Sequence, residues 1–184
     1  DTVIGLITPQ TTLISIMYAN NEIGTVEPIA ELAQALREHR AGRGGVQGAE
    51  RGANHALPLL HTDACQAAGA LPINVMELGV DLMTLNGSKI YGPKGIGILY
   101  KKQGVDIEPF IVGGEQEMNL RAGTPSVPLI VGFAEALQRA EESQVVESAR
   151  LTELRDYMID RILSEIPDAI LNGHRTERLP NNIH

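Results

Sequence analysis

The chain has 184 residues, 43% of them hydrophobic, 21% charged and 3% aromatic, which is the balance of a globular protein with a sizeable core and excludes disordered, collagen-like and disulfide-framework classes. With 15 basic against 23 acidic residues the formal net charge is -8, and the nearest thing to a basic cluster, Arg37, Arg40 and Arg43, is interrupted by Glu38, so nucleic-acid binding is not expected. A single cysteine, Cys65, allows no internal disulfide and frames no zinc site, which points to a reducing, cytoplasmic setting and to no bound metal.

Residues 2–21 carry no formal charge, but Pro9, Gln10, Thr11, Thr12, Asn20 and Asn21 break the run, which reads as core and not as a membrane span. No basic leader precedes it, and a chain that opens on Asp1 reads as a cut or processed end. Residues 12–18 (TLISIMY) predict a buried parallel strand that ends in the polar cluster Asn20, Asn21, Glu22. Pro28 then stands at a first helical position, and Ile29, Leu32, Ala33 and Leu36 recur at helical spacing. Residues 41–56 are Gly-rich and predict an exposed loop.

Further strands are predicted at 59–62, ending in Asp63, at 81–85, running into Asn86, Gly87, Ser88 and Lys89, and at 96–100 after the turn Gly92-Pro93-Lys94-Gly95. Strands alternating with helices, with polar clusters at strand ends, describe an α/β fold whose ligands sit at the strands' carboxyl ends. Beyond Gly114 the pattern is helical around residues 127–137 and again around 151–166, with 141–148 readable as helix interior or as a break. Pro167 ends the second stretch.

The glycines of residues 92–97 lack the order of a phosphate loop or a dinucleotide fingerprint and read as a tight turn. The sharper signal is residues 61–66 (HTDACQ) followed one strand later by residues 86–89 (NGSK). Singly, Asp63 is a strand-end carboxylate and Lys89 a surface lysine. Together they suit pyridoxal 5'-phosphate, which needs a carboxylate at its ring nitrogen, a donor at its ring hydroxyl, an amine for covalent attachment and small polar groups at its phosphate. Asp63, Gln66 and Lys89 fill the first three roles, and Ser88 and Thr124 the last.

Four segments in order, residues 19–24 (ANNEIG), 61–69 (HTDACQAAG), 87–95 (GSKIYGPKG) and 113–117 (GGEQE) with 121–124 (RAGT), make the chain resemble the cysteine desulfurases and selenocysteine lyases of the class V aminotransferase group. The resemblance implies the middle of a mostly parallel-sheet large domain (1–144), followed by a connecting helix and the start of a truncated small domain (145–184). It implies that Lys89 forms the Schiff base and moves the substrate's α-proton, that Asp63 pairs with the pyridine nitrogen, that Gln66 bonds the ring hydroxyl and that Asn21 contacts cofactor and amino acid. Asn86 and Ser88 match phosphate contacts, and Thr124 matches a residue that reaches the phosphate of a partner subunit, which implies a homodimer with shared active sites. The implied reaction turns L-cysteine, or selenocysteine, into alanine and passes the sulfur to an acceptor such as an iron–sulfur scaffold.

Two departures qualify the resemblance. Ser88 stands where the family often has histidine, which removes an imidazole from the phosphate site. Cys65 lies between Asp63 and Gln66 and reads as a packing residue, whereas the family's nucleophile belongs to a mobile loop well after the lysine. The chain is therefore expected to lack the nucleophilic cysteine, the ring-stacking histidine that the family places earlier, and the substrate arginine that it places later. His61 and His184 are given structural roles. A selenocysteine lyase or another class V aminotransferase, and a non-catalytic cofactor-binding or interaction remnant, are the alternatives.

Overall fold

A computed structural model of the chain describes residues 2–42 and 57–184. The elements run α1 (Thr2–Gly5), β1 (Leu13–Met17), α2 (Ile29–Gly42), β2 (Leu59–Asp63), α3 (Val75–Leu78), β3 (Leu82–Asn86), β4 (Gly97–Lys101) and α4 (Val127–Glu165). The sheet order is β1-β2-β3-β4, with the first two pairings parallel and β3–β4 antiparallel. The four strands and α2 agree with the sequence reading to within a residue or two. The Gly-rich loop at 41–56 lies outside the described residues except for 41 and 42, which finish α2. The short helices α1 and α3 had no counterpart in that reading, because four residues are too few to show a period.

Strand register sorts the side chains onto two faces. Ile14 stands opposite Leu60, and Thr62 opposite Met83, so Ile14, Leu60, Met83 and Leu85 share one face. They form a single core with Ile29, Ala33 and Leu36 of α2 and Phe133 of α4. The other face carries Ser15, His61, Asp63 and Thr84.

One buried charge ties this core to its connections. Asp81, 3% exposed, precedes β3; its Oδ2 accepts from the Leu60 N–H at 2.9 Å and from Arg40 Nη2 at 2.8 Å, while Lys102 Nζ approaches Oδ1 at 3.8 Å. Arg40 also donates to the Pro58 carbonyl, so one guanidinium fastens the end of α2 to the entries of β2 and β3.

The two helical stretches of the sequence are one 39-residue helix, α4, and residues 141–148 are its interior. From Phe133 to Ile166 there is neither Gly nor Pro to break it, and pairs such as Glu135–Arg139 and Gln138–Glu142 bridge successive turns. At 1.5 Å per residue the helix is about 58 Å long. A division at 144/145 falls inside it. Gln144 and Ser148 both donate to the Ala70 carbonyl, at 3.1 and 2.9 Å, and Arg155 donates to the carbonyls of Arg178 and Leu179, at 2.9 and 3.2 Å, so α4 joins the sheet to residues near the chain end. Among the described residues no helix is long and apolar enough to cross a membrane.

Replacing Asp81 by Ala strands the Arg40 guanidinium and the Leu60 amide. The substitution is expected to cost roughly 3 kcal/mol, the range found when one partner of a buried pair is removed, read as a lower urea midpoint at unchanged slope.

Candidate functional site

Because β1, β2 and β3 are parallel, the polar clusters that follow them leave the sheet at one edge. Met17 is level with Asp63, and Asp63 with Thr84. The ladder continues past the strands, with the Tyr18 N–H donating to the Asp63 carbonyl at 2.8 Å and the Ala64 N–H to the Thr84 carbonyl at 3.0 Å. The turn after β1 that holds Asn21, the turn after β2 that holds Asp63 and Gln66, and the end of β3 with Asn86, Ser88 and Lys89 therefore lie side by side across two strand spacings, about 10 Å.

Asp63 is half-buried, and its Oδ1 accepts the Cys65 N–H at 2.9 Å, which fixes the carboxylate's orientation. Among the described residues no cation lies within ion-pair distance of it. Gln66 is half-buried in the turn closed by the Ala67 and Ala68 amides on the Ala64 carbonyl, at 3.0 and 3.1 Å. Lys89 ends the one-turn 3-10 helix Gly87–Lys89, exposed and without an ion-pair partner among the described residues. Its turn is pinned by close packing: a Cβ at Gly87 would sit 2.9 Å from Phe133 Cδ2 and 3.0 Å from the Pro93 carbonyl oxygen, so only glycine lets α4 approach.

Asn86 has a structural duty besides any ligand. Its Oδ1 accepts both the Ser88 N–H, at 2.9 Å, and the Ser88 hydroxyl, at 2.8 Å, capping the turn. Among the described residues the Asn86 NH2 group is left free to donate, whereas Ser88 must exchange its bond before donating to a phosphate. Asn21 is exposed and free of hydrogen bonds to the described residues. Thr124 is not brought to this edge by any described hydrogen bond; it is exposed on the segment tied back by the Ala122 N–H to the Ile111 carbonyl, at 3.0 Å.

His61 lies across from Ser15 on the polar face, with Nδ1 and Oγ 2.7 Å apart. Burial pushes its pKa down against the opposing pull of Asp63, which keeps the ring neutral near pH 7. Cys65 is half-buried with Sγ 3.9 Å from the Thr84 carbonyl; burial first, then the Asp63 carboxylate, raises its pKa to about 12. The Lys89 ammonium acts on this thiol in the opposite direction. Among the described residues no cluster of three or more His, Cys, Asp or Glu side chains is arranged to hold a metal ion.

Sequence reasoning missed the segment from Asn172 to Asn182. It folds onto the Asn21 turn, with Thr25 bridging Arg178 and the Leu179 N–H on the Gly24 carbonyl at 2.8 Å. Nothing local in residues 172–182 announces a partner at the other end of the chain.

Residues 45–183 match the family model of the class-V aminotransferases. A cysteine desulfurase IscS of Dictyoglomus turgidum is 48% identical over 174 residues, covering 95% of this chain and 40% of the relative. One from Methanosarcina thermophila is 45% identical over 175 residues, covering 95% and 39%. The chain thus spans about 40% of the length of the curated relatives it matches. Among solved structures, a NifS-like protein superposes with a TM-score of 0.82 at 34% identity, covering 99% of this chain and 45% of that one. SspA in complex with cysteine superposes with a TM-score of 0.60 at 38% identity, covering 74% and 35%.

The Cys65 thiol should resist iodoacetamide at pH 7.5 in the folded chain and react once denaturant is added. The same shift sets a sign for stability. An unfolded thiol loses its proton near pH ~8.5 while the folded one keeps it to about pH 12, so this contribution is whole below the lower value and fades as pH rises between the two. Loss of that decline in Cys65→Ala, followed by urea unfolding, checks it.

Proposed function

The chain belongs to the class-V aminotransferase family, and we propose that it forms the cofactor-binding part of a pyridoxal-phosphate-dependent cysteine desulfurase. The observation that carries this is the single sheet edge where a carboxylate, an amide and an amine, Asp63, Gln66 and Lys89, emerge from neighbouring parallel strands.

The donor set fits the cofactor. Asp63 is oriented through one oxygen and has no cation of its own among the described residues, which suits a carboxylate that must hold a proton on a pyridine nitrogen. Lys89 is an exposed amine held by a close-packed turn. Pyridoxal phosphate, when bound, supplies an electron sink for charge at the amino acid's Cα. Asp63 keeps the ring nitrogen protonated, Gln66 donates to the ring hydroxyl, and the Asn86 NH2 with the Ser88 hydroxyl takes phosphate oxygens. Lys89 Nζ anchors the group and then moves the proton at Cα, and the Asn21 amide orients the amino acid.

The product of the whole protein's reaction is L-alanine, with the sulfur leaving as a persulfide for an acceptor in iron–sulfur assembly or another sulfur-transfer route; that the similar proteins of Dictyoglomus turgidum and Methanosarcina thermophila are cysteine desulfurases supports this choice within the family. The thiol that takes the sulfur is not Cys65, whose proton is retained until about pH 12. Thr124 serves the phosphate of a second subunit in a cytoplasmic homodimer. In support of that, Phe110, Val112 and Met118, on the same stretch of chain as Thr124, are 98%, 77% and 88% exposed, apolar side chains that an interface would cover.

Pyridoxal phosphate added to the purified protein should acquire a visible absorption band that Lys89→Ala abolishes and Asp63→Asn weakens; a band that survives Lys89→Ala removes the assignment. The 184-residue chain alone should release no alanine from L-cysteine above the rate of free cofactor. Release that depends on Cys65 would make that thiol the nucleophile after all.

A further inference from the structure

The turn that presents Asn21 is held from two directions. Locally, Asn20 Oδ1 accepts the N–H groups of Glu22 and Ile23, at 2.9 and 3.0 Å. From the other end of the chain, Val26 N–H reaches the Glu177 carbonyl at 3.0 Å, Leu179 N–H the Gly24 carbonyl at 2.8 Å, and Asn182 Nδ2 the Glu22 carbonyl at 2.7 Å. Gly24 has φ +73°, and a Cβ there would overlap the Asn182 side chain, so the turn and the Asn182 amide are in direct contact.

The orientation of that amide is dictated by Arg178. This guanidinium is 4% exposed, and its donors go to neutral oxygens: Nε to the His174 carbonyl at 2.8 Å, Nη1 to Asn182 Oδ1 at 2.7 Å, and Nη2 to the Asn172 carbonyl. Among the described residues this buried cation has no carboxylate partner, which is costly, and Arg155 and Arg175 nearby add to the cost. What it obtains is geometry, because a rigid fork of donors must be met by oxygens. Asn182 is forced to turn its oxygen to Arg178 and its NH2 to the Glu22 carbonyl.

We propose that Arg178 and Asn182 are positioning residues that hold the turn 20–24 so that Asn21 faces the bound amino acid. This rests on the role given to Asn21 in the proposed function. The two residues touch neither cofactor nor substrate; they act through the turn.

Asn182→Ala and Asn182→Asp test it in the holoprotein. The second variant gives Arg178 a carboxylate partner and so keeps the fold, but it removes the donor to the Glu22 carbonyl. In the cofactor-free protein both should speed hydrogen exchange at the Glu22 and Ile23 amides by tenfold or more. With pyridoxal phosphate, both should leave the Lys89-dependent band unchanged while raising about tenfold the L-alanine concentration that half-saturates its spectral response. On an Asn21→Ala background the same substitutions should add nothing to that concentration. Unchanged exchange, or a full additional loss on that background, overturns the proposal; a lowered melting temperature with unchanged L-alanine response also does so, since it marks a purely structural role. Absence of any Lys89-dependent band in the unsubstituted protein overturns the functional reading instead, and tenfold faster exchange in that case still supports the clamp on the turn.

Discussion

Everything at the sheet edge depends on the in-register parallel pairing of β1, β2 and β3. Parallel strands end together, and their last residues share neighbours, so the polar groups that follow each strand emerge side by side, about one strand spacing from one to the next. The pairing is itself maintained from below by apolar side chains, Ile14, Leu60, Met83 and Leu85 against α2, and at the strand entries by the Arg40–Asp81 pair. A one-residue slip of β2 would send Asp63 to the apolar face and Thr62 to the polar one. Placement of the carboxylate is thus a consequence of core packing several residues away.

The third strand solves a different problem. The role proposed for Lys89 would need reach and a fixed base, and the chain leaves β3 through a capped single turn. Asn86 closes that turn, and Gly87 permits Phe133 of α4 to press against it. The cap costs something in readiness, because the Ser88 hydroxyl is engaged by Asn86 and must be released before it can serve an anion. With an imidazole at that position the competition for Asn86 would differ, since a histidine side chain extends past its own turn.

What could be read from the sequence follows the range of the interactions involved. Strands of four to seven mostly apolar residues bounded by polar clusters, and an amphipathic helix opened by Pro28, are local patterns, and each appeared where the pattern put it. Asp63 and Gln66 at the end of β2 and Lys89 just past β3 are neighbours along the sheet because short motifs fall at the ends of consecutive parallel strands. The continuity of α4 was less legible: the charged stretch around Glu141, Glu142 and Glu147 lacks an apolar stripe, and the helix there is held by pairs across its turns and by two bonds to the Ala70 carbonyl. The clasp of Asn172 to Asn182 on the Asn21 turn was not legible at all, since it is built from backbone amides and a buried guanidinium that leave no periodic trace.

That clasp also changes how the chain's two ends relate to the proposed chemistry. The turn after β1 is short and polar, with Asn20 engaging its side chain on its own amides, and such a turn has several accessible geometries in isolation. Bonds to Glu177, Leu179 and Asn182 tie it at three further points. Because Arg155 of α4 in turn holds the carbonyls of Arg178 and Leu179, the constraint runs from the long helix through the terminal segment to the first strand end. A movement of α4 relative to the sheet would therefore be felt at Asn21, through this segment, and at the turn of Lys89, through the contact of Phe133 with Gly87, whereas Asp63 is set by the sheet. Asn21 and Asp63 are thus placed by different parts of the fold, the terminal segment and the sheet, while α4 bears on both Asn21 and the turn of Lys89.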